Sequence, residues 1–233
     1  DLTRKFIDSK NKASVENQLK EIDYLDQLNE KNYKSKNNKI ANLINDCKKY
    51  GTLPFSILAR HGFVAKHLMI SLKNLKILEN KDLNTLFASV ETVATEFTKD
   101  IYLLKKKKIS IRRFVNRYGH LRPGTYNINN KNYKDSKIYN NINQNIIFKK
   151  KKKFTLQKDK SKKIKRLLEY YNLFEGNPQK FIDYVIIATK AREYAKFVFT
   201  KTINLILEEI KKKLKKFALT ADDIAYLDIN FIK

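Results

Sequence analysis

After Pro178 the chain runs to its last residue, Lys233, without another glycine or proline, and the whole of it holds only 5 Gly and 3 Pro in 233 residues. Those two residues are the strongest local breakers of helices and strands. A chain that lacks them has few ways to turn tightly, so it is biased towards long helices rather than many short strands. The apolar spacing agrees. Phe181, Tyr184, Val185, Ile187, Ala188, Ala191, Ala195, Val198, Leu205 and Ile206 keep a helical period from Pro178 to about Phe217. At 1.5 Å per residue, such a helix is about 60 Å long.

The same period marks helices upstream. Val15, Leu19, Ile22, Leu25 and Leu28 predict one over roughly 13–32, and a polar break follows at 32–38. Ile40, Leu43, Ile44, Cys47 and Tyr50 predict a second, which Gly51 would end. A third, from Leu53 to about Asn74, is apolar on most sides and is expected to be central and buried, with Arg60, His61 and His67 in need of partners. Leu83, Leu86, Phe87, Val90, Val93, Phe97, Ile101 and Leu104 predict one regular helix from near Asp82, forming a hairpin with the third. Glu91 and Glu96 lie on or beside its surface. Ser110 is placed to cap a short helix ending at Tyr118.

The asparagine- and lysine-rich stretch 129–153 reads as a long irregular excursion in which Ile146, Ile147 and Phe148 could form short strands. A helix resumes at Lys158 and stops near Gly176, Asn177-Pro178 suits a helix start, and Thr220 caps a tail whose first turn is acidic. The expected fold is all-α: one helical domain over 1–233, with long antiparallel helices. Its parts are N-terminal helices (1–50), a hairpin and motif loop (51–128), the excursion (129–157), and the long helix with its tail (158–233).

The formal charge of +26 makes nucleic acid a partner to weigh. However, lysine, asparagine and isoleucine are abundant together, a bias that AT-rich codons impose, so solvated lysine faces explain the charge better. One cysteine, Cys47, excludes an intramolecular disulfide and suits a reducing, cytoplasmic setting. No apolar run is long enough for a membrane span, and no signal peptide opens the sequence, so no membrane partner is expected. The start at Asp1, with Met69 the only methionine, suggests a piece of a longer polypeptide.

There is no glycine-rich phosphate loop, nucleophile elbow or Cys/His metal spacing. His61 and His67 sit six apart, on different faces of one helix, and are not expected to share a metal. The carboxylate pairs Glu208-Glu209 and Asp222-Asp223 read as helix-end or surface charges. What stands out is a cationic and hydroxylic set: Arg60, His61, Arg117, His120, Arg122, Tyr126 and Arg192. Arginine forks fit phosphate or carboxylate oxygens, and a tyrosine can flank a ring. Four of the set lie in Arg117–Ile128, where Gly119 could end a helix in a left-handed conformation and Pro123-Gly124 reads as a tight turn.

Phe114-Val115-Asn116-Arg117-Tyr118-Gly119-His120-Leu121-Arg122-Pro123-Gly124-Thr125-Tyr126-Asn127-Ile128 resembles a segment of phosphoenolpyruvate-synthase-like and pyruvate-phosphate-dikinase-like phosphotransferases, in the branch that includes rifampin phosphotransferase. Ala191-Arg192-Glu193-Tyr194-Ala195-Lys196 and Asp222-Asp223-Ile224-Ala225-Tyr226-Leu227-Asp228-Ile229 resemble two further segments in the same order. Upstream, Thr52-Leu53-Pro54-Phe55 and Leu58-Ala59-Arg60-His61-Gly62-Phe63 fit as well. Thr125 and Asn127 depart from the pattern, standing where many members carry glutamate and aspartate.

The resemblance implies an acceptor-binding and docking domain of an ATP-dependent kinase-type transferase. Its partners would be a small-molecule phosphoryl acceptor and the ATP-grasp and phosphohistidine domains of the same polypeptide. ATP and Mg would belong to the parent enzyme, with no cofactor or metal on this part, which alone would be inactive. The seven residues above would bind the substrate. His120 is not in the phosphohistidine motif and is not expected to carry the phosphoryl group. Two other classes compete with this reading: a basic helical module binding nucleic acid, which is less favoured, and a purely structural spacer.

Overall fold

The structure, a computed structural model, describes residues 2–7, 12–34, 39–137 and 154–228. The fold is all-α, with no strand among the described residues. The helices are α1 (Leu2–Ile7), α2 (Val15–Lys34), α3 (Ile40–Asp46), α4 (Leu53–Asn74), α5 (Asn80–Ser89), α6 (Val93–Lys105), α7 (Ile111–Tyr118), α8 (Tyr133–Ser136), α9 (Lys158–Tyr170), α10 (Pro178–Leu214) and α11 (Ala221–Ala225). None is long and apolar enough to cross a membrane among the described residues.

The chain divides into two compact units. The first comprises Asp1–Lys20, Pro54–Val93 and Lys149–Ala195; the second comprises Glu21–Leu53, Ala94–Phe148 and Lys196–Lys233. Helices α2 and α10 contribute residues to both.

The first unit has an apolar core. Ala65, Met69 and Leu72 of α4, Leu86 of α5, Ile164 and Leu168 of α9, and Phe181, Ile182, Val185 and Ala188 of α10 bury one another. Each fully buried Leu, Ile or Phe contributes roughly 1.5–3 kcal/mol relative to exposure. Phe154 and Leu156, in the extended lead into α9, pack on the same cluster. Helix α4 is more one-sided than its composition suggests. Leu58, His61, Ala65, Met69 and Leu72 are buried, but Phe63 and His67 are exposed. An apolar composition sets the helix, and the i, i+3, i+4 stripe decides which face is covered.

The second unit buries Ile22 and Leu25 of α2, Leu43 of α3, Phe114 and Tyr118 of α7, and Val198 and Phe199 of α10. Polar groups are buried among them. Asn29 donates to the Val198 carbonyl (3.2 Å) and accepts from the Thr202 hydroxyl (2.8 Å).

Three expectations of the sequence need correction. Gly51 does not end a helix: Cys47–Thr52 forms a π-helical turn that carries the chain from α3 into α4. Glycine is needed there because a Cβ would meet Leu25 Cδ2 and Phe199 Cβ at 2.9 Å. The regular apolar run from Asp82 is two helices, not one, since Val90 turns extended (φ −69°, ψ 118°) between α5 and α6. A capping box between Glu79 and Asp82 starts α5, whose Leu86 then joins the α4 residues in the first unit's core. The described part of the 129–153 excursion is not irregular throughout, because Asn132 caps the short α8. The suggested strand at Ile146–Phe148 lies outside the described residues.

Candidate functional site

The motif loop of the second unit begins on α7. Ser110 accepts the Arg113 N–H through its hydroxyl (3.2 Å) and so caps the helix. At the other end Tyr118 is fully buried, and its hydroxyl donates to Asp100 Oδ2 of α6 (2.9 Å). Burial and that bond push the phenol's pKa well up. Arg117, next to it, reaches the same Asp100 (3.3 Å) and Glu96. Phe97 stands edge-on to Tyr118 at 5.0 Å, completing the anchor between α6 and α7.

Gly119 closes α7 in ordinary right-handed geometry (φ −61°), not the left-handed cap expected from the sequence. The constraint is space: a Cβ would lie 2.4 Å from the Val115 carbonyl oxygen and 3.2 Å from Lys134 Cβ. Two backbone bonds then fasten the loop to the start of α8, from Lys134 N–H to the Gly119 carbonyl (3.1 Å) and from Tyr133 N–H to the Leu121 carbonyl (2.7 Å). Pro123-Gly124, read from the sequence as a tight turn, is a bend, and the hydrogen-bonded turn lies one step on, over Gly124–Asn127. Gly124 has φ +59°, and its carbonyl accepts the Asn127 N–H at 2.9 Å.

Arg122 holds the loop from inside. Its side chain is 2% exposed, and it donates to the Asn130 carbonyl (3.1 Å), to Glu208 Oε1 of α10 (3.0 Å) and to Asn204 Oδ1. Asn132 donates to the same Asn204 oxygen (3.4 Å). Of its three guanidinium nitrogens, Nε has no partner among the described residues. His120 is buried edge-on against Phe197 at 4.8 Å, and its Nε2 too has no partner among the described residues. Burial first, then the nearby Lys201 ammonium, hold its pKa down to about 3, against the pull of the Phe197 and Arg117 carbonyls. His120 is therefore neutral and, so enclosed, suited to shaping the loop. Tyr126 is the opposite, 66% exposed on the outer side.

Asn127 makes a local turn of its own. Its Oδ1 accepts the Asn129 N–H at 2.9 Å, an Asx-type turn that needs only a side-chain oxygen. Asn129 in turn donates to Asp222 Oδ1 (2.6 Å) at the start of α11. The neighbouring Asp223 completes a capping box with Thr220, which explains the acidic pair.

The remaining three residues of the cationic set lie in the first unit. His61 is fully buried, stacked on Phe6 at 4.1 Å, with Nε2 2.8 Å from the Ala13 carbonyl and Nδ1 2.9 Å from the Tyr184 hydroxyl. The carbonyl can only accept, so Nε2 carries the proton and Nδ1 accepts from Tyr184. Burial lowers the pKa of His61 and raises that of Tyr184. Arg60 is exposed, 5.6 Å over the Phe6 ring. Arg192 pairs with its neighbour Glu193 (2.6 Å) and lies 6.0 Å over Phe63.

Of the set, then, Arg117, His120, Arg122 and Tyr126 share the motif segment of the second unit, where Arg117 pairs with α6, Arg122 with α10 and Tyr126 is exposed, while Arg60, His61 and Arg192 belong to the other unit. Among the described residues no three His, Cys, Asp or Glu converge as metal ligands would. Sequence reasoning missed Asp100, Asn132 and Asn204, and took Glu208 for a surface charge when it is the counter-ion of a buried arginine. A polar side chain in an apolar run of a long helix, as Asn204 is between Ile203 and Leu205, was the available signal. No known protein family, no curated protein and no solved structure matches this chain.

Proposed function

We propose that the chain is the acceptor-binding and docking domain of an ATP-dependent phosphotransferase that works through a phosphohistidine carried elsewhere in the parent enzyme. The observation that carries this reading is the build of the motif loop. A buried arginine, clamped by Glu208, Asn204 and the Asn130 carbonyl, fixes a turn that holds Tyr126 outwards. Asn129, the residue that follows Arg117–Ile128, also donates to Asp222, which begins another segment that resembles the same enzymes. Phosphoryl transfer depends chiefly on positioning and electrostatics. In this reading Tyr126 flanks the acceptor, Arg117 meets its phosphate, and Arg122 and His120 position the loop. The parent acts in the cytoplasm, where ATP is available and Cys47 stays reduced.

The test is a separation of half-reactions in the intact polypeptide. Tyr126→Ala is expected to lower turnover of the acceptor at least tenfold while leaving histidine phosphorylation by ATP unchanged. Equal loss in both half-reactions, or in neither, overturns the proposal. A second reading, a spacer whose loop only ties helices together, draws on both terminal nitrogens of Arg122 being bonded within the chain. It expects Arg122→Ala to lower the melting temperature and Tyr126→Ala to leave both half-reactions intact.

A further inference from the structure

In the first unit, independently of the motif loop, α4 and α9 each offer a stripe at i, i+3, i+4 and i+7: Leu68, Ser71, Leu72, Leu75 and Ile164, Leu167, Leu168, Tyr171. Between the stripes lies an open, apolar cleft of about 90 Å³, lined also by Leu173 and Phe181. Leu75 and Tyr171 on its rim are 58% and 61% exposed.

The size of the cleft selects its occupant. About 150 Å³ holds a benzene in an engineered cavity, and cofactor sites run to about 300 Å³ or more. A cleft of 90 Å³ therefore takes one branched aliphatic side chain. A hole framed by two helices at this spacing is the receiving half of knobs-into-holes packing.

The rim selects the charge. Lys76, just past α4, and Lys163, one turn before Leu167, are exposed, with no carboxylate at ion-pair distance among the described residues. Lys160 is engaged by Asp82 (2.6 Å). Two acids near these elements in sequence are paired, Glu169 with Lys165 (3.7 Å) and Glu175 with Lys180. A second copy of a chain with a formal charge of +26 would be repelled.

We infer that this cleft receives a Leu- or Ile-sized anchor from an acidic amphipathic helix of a partner protein. The probe is a displayed library of 16-residue helices with the anchor and flanking positions randomised, selected against the whole chain. Enrichment of Leu, Ile or Met flanked by Asp and Glu is expected. Binding of the selected peptides should drop more than tenfold with Ser71→Trp, which fills the cleft, and with Leu75→Glu, which reverses the rim. Leu75 is exposed, so the second variant keeps its fold if the first does not. Failure to enrich, selected flanks that are basic, or binding that survives both substitutions overturns the proposal. So does a concentration-dependent dimer that Ser71→Trp dissolves, since the occupant would then be a second copy.

Discussion

The two units solve the problem of burial differently. Among the described residues, and apart from His61, the first hides only Ser14 and Gln18 among polar residues, whereas the second hides Asn29, Asp100, His120, Arg122, Asn132, Thr200, Thr202 and Asn204. An apolar core gains stability from every covered methylene and tolerates modest shape changes. A polar core gains little net stability per hydrogen bond and loses heavily when one partner is removed. The second unit thus trades stability for a fixed arrangement, and four of the residues so fixed, Asp100, Arg122, Asn132 and Asn204, hold the motif loop or the helix that leads into it.

The largest expected effect tests the apolar side. Phe181→Ala removes a fully buried ring and should cost about 3–5 kcal/mol in urea unfolding; a loss below 1 kcal/mol would mean the cluster is not the stabilising core. Next, Glu208→Ala strands the buried Arg122 charge. It is expected to cost about 2–3 kcal/mol, reduced from a fully buried case because Glu208 is 38% exposed. Arg122→Met should cost less, since no buried charge remains. The reverse order would show that packing, not charge, holds the loop.

Acid should separate the units less cleanly, because each buries a neutral histidine. His61 and His120 have lowered values in the fold and protonate near their ordinary value once unfolded. The unfolded chain therefore binds more protons below about pH 6.5, so stability is full above that point and falls towards pH 3. The slope approaches about 1.4 kcal/mol per pH unit for each histidine. Urea midpoints at pH 7.5 and 5.0 measure it, and His120→Phe should remove part of the slope. The smallest effect is at the loop surface. Asn127→Asp should change stability by less than about 0.5 kcal/mol, and a larger change would mean that charge as well as oxygen matters at that turn.

What the sequence made readable was local. The stripe and proline gave α4 its bounds, the absence of breakers gave α10 its length, and Ser110, Asn177 and Thr220 each cap the helix expected of them. What stayed hidden was tertiary. Gly51 looked like a helix end, yet it is there because Leu25 and Phe199 need the space; Gly119 does end α7, but for room beside the Val115 carbonyl rather than for a left-handed backbone. The α5–α6 break has no breaker residue, so the apolar period ran straight through it. The pairing of Arg122 with Glu208 joins positions 86 apart, and no local pattern records it.

The turn at Asn127 bears on how such a loop drifts over generations. A single-base change converts an aspartate codon into an asparagine codon, and mutation towards A and T favours that direction. Because the turn asks only for a side-chain oxygen, the exchange is almost silent in shape while it removes a negative charge from an exposed position. The loop's charge can therefore be retuned one nucleotide at a time under a backbone that stays put, which leaves selection free to act on what the loop meets rather than on whether it folds.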